Sequence, residues 1–405
     1  MPWSIRTILI ISLIGGLFEG YVARKTINAI ATVTAWPVKR IRLTVGTIVA
    51  WFILYPVALI GSYYLQLGHV SRALQSSGML VDRLFIYPFW IGLILSVQLA
   101  LFLLVMDAAR WILFPVYRRH RDRWIRIQAR VVMLIVCAGS VYVTARIYND
   151  TFTVRTRQAE TQVKNLPESL DGFRIAHIAD VQVDGRTNGS KLCTFVDRVN
   201  GLNPDLILFC GDLVTSGTAH IESGAAAMGK LEAKHGTYAC LGDHDFFSDH
   251  AKVISGLEQN GITVLNNSAA IVPTTPAPIS IVGITNVYRA RPPENVIQTL
   301  EKQRTQAPVN ILLTHQPSEW LVKLAEENRY DLFLAGHTHG GQIAFPLPGF
   351  LLTGSSFETA YVSGFYRAGS MFVSVTNGLG LTLAPVRYNA PAEITLITLR
   401  REKSS

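Results

Sequence analysis

The sequence predicts two folds in one chain: an all-α, membrane-spanning region of about four helices over residues 1–150, and an α/β domain over residues 173–405. Residues 151–172 read as a linker between them. Three observations carry this. Long apolar stretches are confined to the first part. Charge is split, with 16 Lys and Arg against four Asp and Glu in residues 1–149, and 21 against 24 in residues 150–405. After residue 173, short apolar runs repeatedly end in Asp or His, with helical stretches between them.

Four stretches are candidate spans: 5–22, 43–65, 84–106 and 131–148. A bilayer core needs about 20 apolar residues. The first stretch contains Glu19 and lacks a small-x-small cleavage site, so it reads as a retained helix. Loop charge orients the bundle. The segment after the first span holds Arg24, Lys25, Lys39, Arg40 and Arg42. The segment before the last holds Arg110, Arg118, Arg119, Arg121, Arg123, Arg126 and Arg130. The middle loop holds only Arg72 and Arg83, beside Asp82. The positive-inside rule places both basic loops in the cytoplasm. The expectation is a multi-pass protein of a bacterial inner (plasma) membrane, its α/β domain on the extracytoplasmic face and the lipid bilayer its partner. The net charge of +9 belongs to these loops. No nucleic-acid partner is expected.

In the α/β part, 191–202 and 222–233 read as helices, and AIVPTTPAPISIVGI as a hairpin around a Pro-rich turn. Five apolar runs share one pattern. FRIAHIADVQVDG delivers Asp180, Gln182 and Asp184. DLILFCGDLV delivers Asp212. TYACLGDHDFF delivers Asp243, His244 and Asp245. VNILLTHQP delivers His315. LFLAGHTHGGQI delivers His337 and His339. Buried parallel strands read as continuous apolar runs, and ligands gather beyond their carboxyl ends. The glycines around His337 and His339 let the backbone bend so that both imidazoles converge on one centre. Five strand ends carrying Asp or His describe a single site.

These ordered motifs resemble the calcineurin-like metallophosphoesterase family, whose pattern is Asp-x-His, Gly-Asp, Gly-Asn-His-Asp, His, then Gly-His-x-His. GHTHGGQ and the tail VTNGLGLTLAPVRYNAPAEITLITL look like its membrane-anchored bacterial phosphodiesterase branch. The resemblance implies a four-layer sandwich, two mixed sheets flanked by helices, with the site at their edge. It implies two divalent metal ions. Asp180 and His339 hold the first, Asp212 bridges, and Asp243, His315 and His337 hold the second. His244 stands beside them as the catalytic residue, and Asp245 braces the turn. Two such ions clamp the attacking and departing oxygens of an in-line displacement, with a bridging hydroxide as the nucleophile. His244 stabilises the developing charge or protonates the leaving oxygen.

Two positions depart from that pattern. Gln182 stands where a ligating histidine belongs, so the first metal gains a neutral amide oxygen or no side chain. Asp243 stands where asparagine belongs. Oxygen-rich sites suit Mn²⁺ or Mg²⁺ over softer-ligand metals. Mn²⁺ or a mixed Fe/Mn pair is therefore favoured over Zn²⁺. Elsewhere, His177 reads as a core strand residue, and Asn377 as a turn residue. Asp184 reads equally as a loop cap or a substrate contact. Cys193, Cys210 and Cys240 read as free buried thiols.

The functional expectation is a membrane-anchored phosphoesterase acting on a phosphodiester, phosphomonoester or pyrophosphate. A phospholipid or lipid-linked pyrophosphate suits a tethered site. The apolar run of Phe345, Pro346, Leu347, Pro348, Phe350, Leu351 and Leu352 would form a lip. The alternative is a catalytically weak sensor or scaffold that binds a phosphorylated ligand, which Gln182 favours.

Overall fold

The computed structural model describes residues 1–75, 79–288, 291–304 and 307–402. It divides into two compact units, residues 1–149 with 383–388, and residues 150–382 with the chain from Asn389 onward.

The first unit is helical: α1 (Trp3–Val33), α2 (Val38–Tyr64), α3 (Gly68–Gln75), α4 (Met79–Val81), α5 (Tyr87–Tyr117) and α6 (Arg121–Phe152). Among the described residues, three stretches are long and apolar enough to cross a membrane: Trp3–Val33, Val38–Tyr64 and Asp82–Phe152. The third is one helical run holding both expected later spans, and a 3₁₀ turn at Arg118–His120 divides it. Small residues set the packing. Gly15 lies against Leu93, Gly92 against Phe52 and Gly139 against Leu99, where a Cβ would overlap each neighbour. Outward-facing Leu13, Leu17, Leu43 and Leu134 stay exposed, as lipid-facing side chains do. One charged pair joins α1 to α5. Lys25 pairs with Asp107, which also accepts from Tyr21 Oη at 2.8 Å.

The second unit holds two six-stranded sheets and a hairpin. The first sheet contains β1 (Val154–Val163), β2 (Arg174–Ile178), β3 (Leu206–Phe209), β4 (Thr237–Ala239), β5 (Thr263–Val264) and β14 (Ala392–Arg401), in the order β1-β14-β2-β3-β4-β5. The second contains β6 (Ser268–Val272), β7 (Ile279–Ile284), β8 (Val309–Thr314), β9 (Leu332–Ala335), β12 (Gly364–Ala368) and β13 (Met371–Val375), in the order β12-β13-β9-β8-β7-β6. The hairpin is β10 (Phe345–Leu347) with β11 (Phe350–Leu352). Strands β2 to β5 run parallel, as do β7, β8, β9 and β13; β14 opposes β2.

Strand alternation builds four layers. Ile175, Leu206 and Leu208 point inward to meet Ile281, Ile311, Leu313 and Leu334 of the facing sheet. Ala176, Ile207 and Phe209 point outward to α7 (Ser190–Asn200), α8 (Ile221–Met228) and α10 (His250–Gln259), through Phe195, Val199, Ala225 and Leu257. On the far side, Val282, Leu312 and Phe333 meet Leu321, Val322 and Ala325 of α12 (Glu319–Glu327). Two mixed sheets flanked by helices are the architecture that the motif resemblance implies. Two further helices are α9 (Asp243–Ser248) and α11 (Glu294–Gln303).

Residues 154–163 correct the linker reading. They form β1, paired in parallel with β14 from Val154 to Val163. The strand is polar because it is the sheet's edge, paired on one side only. Its Arg157 reaches Glu393 of β14 at 2.7 Å. Helix α8 stops at Met228, short of residue 233, and the hairpin around Thr275–Pro276 forms as β6 and β7. Cys210 and Cys240 are buried free thiols; Cys193 is exposed, against expectation.

Candidate metal centre

Each site residue sits in the turn just past a strand. Asp180 and Gln182 follow β2, Asp212 follows β3, Asp243 to Asp245 follow β4 and open α9, His315 follows β8, and His337 and His339 follow β9. Their backbones are held in an uncommon state. Asp180, Gln182, Asp212, His337 and His339 all have positive φ, between 51° and 69°. For an L-residue with a Cβ this costs about 1–2 kcal/mol each. Such strain persists where packing over-determines it, and it gathers at functional sites. Gly242 shows the crowding, since a Cβ there would overlap Asp212 Oδ1.

Asp212 lies at the centre. Its Oδ1 accepts from the His244 amide at 2.9 Å, and its Oδ2 accepts from Gln182 Nε2 at 2.7 Å. His315 Nε2 lies 3.3 Å from the same Oδ2, 3.0 Å from Asp243 Oδ1 and 3.9 Å from Asp180 Oδ1. His337 Nδ1 lies 2.9 Å from Asp243 Oδ1 and 3.2 Å from His315 Nε2. His339 Nε2 lies 3.4 Å from Asp180 Oδ1. Asp245 braces the turns: it accepts from the amides of Asp212, Leu213 and Gly242, all at 2.9 Å. All these carboxylates are buried.

Hydrogen bonds assign the tautomers. His315 Nδ1 lies 2.7 Å from the Cys210 carbonyl, which only accepts, so Nδ1 carries the proton and Nε2 faces inward. His337 Nε2 faces the Glu358 carboxylate at 3.3 Å, which leaves Nδ1 facing inward. With both rings neutral, two imidazole nitrogens and a carboxylate oxygen would thus converge as acceptors only. Such a set needs a cation at its focus: protons or a metal.

Without metal, protons fill that need. His315 and His337 hold theirs above the usual imidazole range, His337 at about 9. Burial opposes this, and the surrounding carboxylates outweigh it. Asp243 is lowered: burial opposes, and hydrogen bonds from His315 and His337 win. Burial raises Asp180 and Asp245 to about 7, with the Asp212 charge adding to it.

Residues 173–341 match the calcineurin-like phosphoesterase family. Over 268 residues the chain is 30% identical to the uncharacterized metallophosphoesterase YkuE of Bacillus subtilis (strain 168), covering 65% of this chain and 91% of that protein. The chain belongs to the calcineurin-like metallophosphoesterase family. It is also 32% identical over 286 residues to a zebrafish (Danio rerio) transmembrane protein with metallophosphoesterase domain, covering 68% of this chain and 63% of that protein. It is 29% identical over 249 residues to an uncharacterized metallophosphoesterase of Helicobacter pylori (strain ATCC 700392 / 26695), covering 60% of this chain and 64% of that protein. The chain thus spans somewhat less than two thirds of the zebrafish and Helicobacter relatives.

The family's divalent metals fit the donor set. Among the described residues, three groups bring ligand atoms within reach of one ion: Asp243, His315 and His337; Asp180, Asp212 and His315; and Asp212, Asp243 and His244. Gln182 supplies a further sign. Its Oε1 is buried with no hydrogen-bond partner, while its amide nitrogen is spent on Asp212. An orphaned buried oxygen costs about 1–3 kcal/mol unless something satisfies it, and a cation would.

The remaining expectations resolve by contact. Asp184 is a loop cap, since its Oδ1 accepts from the Arg186 and Thr187 amides at 2.7 Å. His177 is fully buried against Cys210 Sγ and Ser374 Oγ, and burial lowers it to about 3. Asn377 is a turn residue, donating to the Pro391 carbonyl at 3.1 Å. Tyr288 and Glu358 were not anticipated. Tyr288 Oη lies 3.0 Å from His337 Nε2 and donates to Glu358 Oε2 at 2.7 Å. Tyr288 had a signal: ISIVGITNVY is a sixth apolar strand ending in a polar loop. Glu358 had none, because it lies in a loop far from any strand-end motif.

Proposed function

We propose that the chain is a membrane-anchored, metal-dependent phosphoesterase with two metal sites. Asp243, His315 and His337 hold one metal; Asp180, His339 and the Gln182 oxygen hold the other; Asp212 lies between. The observation that carries this is the convergence of two inward-facing imidazole nitrogens and the Asp243 carboxylate oxygen within 3.2 Å of one another. Bound divalent ions supply Lewis acidity at the phosphoryl group and acidify water at neutral pH.

The chain's own groups do the rest. Asp212 keeps its two oxygens in place through the His244 amide and Gln182. His244 donates Nδ1–H to the Thr215 carbonyl, which fixes the ring and frees Nε2 for proton exchange. Its proton is held above the ordinary value: burial opposes, and the charges of Asp212 and Asp243 prevail. A group so held can donate to a departing oxygen. Mn²⁺ is the metal favoured, because carboxylates and an amide oxygen dominate one half of the site.

A lipid headgroup phosphodiester or lipid-linked pyrophosphate is the substrate class favoured, hydrolysed on the extracytoplasmic face. Apolar spans tether the enzyme to a bilayer. Phe350 at 59% exposure and Phe357 at 85% stand on the hairpin and loop that follow the GHTHGG turn. Phe345 of the expected lip is buried and takes no part.

The test is hydrolysis of bis-p-nitrophenyl phosphate by full-length protein in detergent with Mn²⁺. Wild-type turnover that is lost in His244→Ala and Asp212→Asn supports the enzyme. Metal binding with no turnover under any divalent ion favours a phosphate-binding sensor instead.

A further inference from the structure

The loop that carries Glu358 is built to hold one metal ligand. His337 presents two nitrogens to two different surroundings. Nδ1 looks inward to Asp243 and His315, and Nε2 looks outward to Glu358 and Tyr288. A neutral imidazole has one proton, and a ligating nitrogen cannot carry it. The proton must therefore lie on Nε2, where Tyr288 Oη at 3.0 Å and Glu358 Oε2 at 3.3 Å both face it as acceptors. Tyr288 closes the triangle by donating to the same carboxylate oxygen, which fixes the carboxylate's orientation.

The loop is fastened on both sides of Glu358. Before it, Ser355 Oγ donates to the Thr338 carbonyl at 3.0 Å, within the very turn that bears His337. After it, Thr359 Oγ1 donates to the Pro317 carbonyl at 2.7 Å, two residues past His315. The backbone of Glu358 itself donates to Ser355 at 3.1 Å. These fastenings place one carboxylate against one imidazole. They serve no apolar packing, since Glu358 is exposed and Phe357 beside it more so.

We propose that Glu358, braced by Tyr288, is a positioning residue that fixes the tautomer and ring orientation of His337 for metal binding. A carboxylate behind a ligating imidazole raises its basicity and restricts it to one pose. The proposal rests on His337 being a ligand, as the proposed function holds.

The experiment is Mn²⁺ titration calorimetry on full-length protein in detergent, comparing wild type with Glu358→Gln, Glu358→Ala and Tyr288→Phe. Loss of an outer carboxylate typically weakens affinity about 10–100-fold. The expected result is that loss in one binding step for both Glu358 variants, a smaller loss for Tyr288→Phe, and no change in the other step. Unchanged Mn²⁺ affinity in Glu358→Gln would overturn the proposal. So would equal losses in both steps together with a lower metal-free melting temperature, which mark a merely structural loop. The readout needs no turnover, so an inactive protein showing the shift would sink the phosphoesterase reading and leave this one standing. An active enzyme without the shift would do the reverse.

Discussion

The two halves of the proposed metal centre are built from different chemistry. One half, Asp243 with His315 and His337, has its ligand atoms within 3.2 Å of one another and both imidazole tautomers set by a hydrogen bond from behind. The other half, Asp180, Gln182 and His339, is looser: His339 stands 3.4 Å from Asp180, and the Gln182 amide turns its nitrogen toward Asp212. We assign the contrast to Gln182, an amide where the family pattern has an imidazole. Under the proposed two-metal reading, affinity is therefore expected to be unequal, with the Asp243 half the tighter.

Removing the shared carboxylate should have the largest effect. Asp212→Asn is expected to abolish measurable turnover, because it serves both halves. His244→Ala should lower kcat by about 10²–10⁴-fold with metal content intact, the range for a lost general acid. Loss of metal in that variant, seen by elemental analysis, would make His244 a ligand. Gln182→His should sharpen the comparison by making the halves alike. Its Zn²⁺ content on purification should rise toward two equivalents, and its preference for Mn²⁺ in the turnover assay should fall. If neither moves, the amide is not the source of the asymmetry.

Smaller effects probe how the site is held. Gly242→Ala should destabilise the protein by about 1–3 kcal/mol, as overpacking does, and should loosen Asp212. Thermal unfolding and turnover should fall together. In chelator, proton binding replaces metal binding. Folded Asp180 and Asp245 titrate at about 7 rather than 3.8, and His337 at about 9 rather than 6.5. Groups held protonated by the fold stabilise it at low pH and lose that contribution as pH rises through the folded value. Metal-free protein should therefore melt at progressively lower temperature from pH 5 to pH 9, and Mn²⁺ should restore most at pH 9. A melting temperature that rises over this window would show that protons do not fill the centre.

Much of this was legible in the sequence, for a physical reason. A buried parallel strand must be apolar throughout, so an Asp or His placed directly after it stands out. The chemistry of Asp180, Asp212, Asp243, His315 and His337 is thus written as local contrast. Strand β1 was not legible, because an edge strand with polar faces lacks that contrast and resembles a linker. Glu358 was not legible either. Its meaning comes from a fold that carries a loop back to His337, and no local pattern announces a residue that acts through another. The two later spans read as separate segments, yet they lie in one helical stretch, because Arg118–His120 turns the helix without ending it.

The central claim is that the two halves bind metal unequally. The most direct measurement is elemental analysis of full-length protein purified without added metal. The account predicts about one equivalent of metal, rising to two only when Mn²⁺ is added in excess. Two Zn²⁺ ions per chain at full occupancy, with no metal supplied, would contradict it.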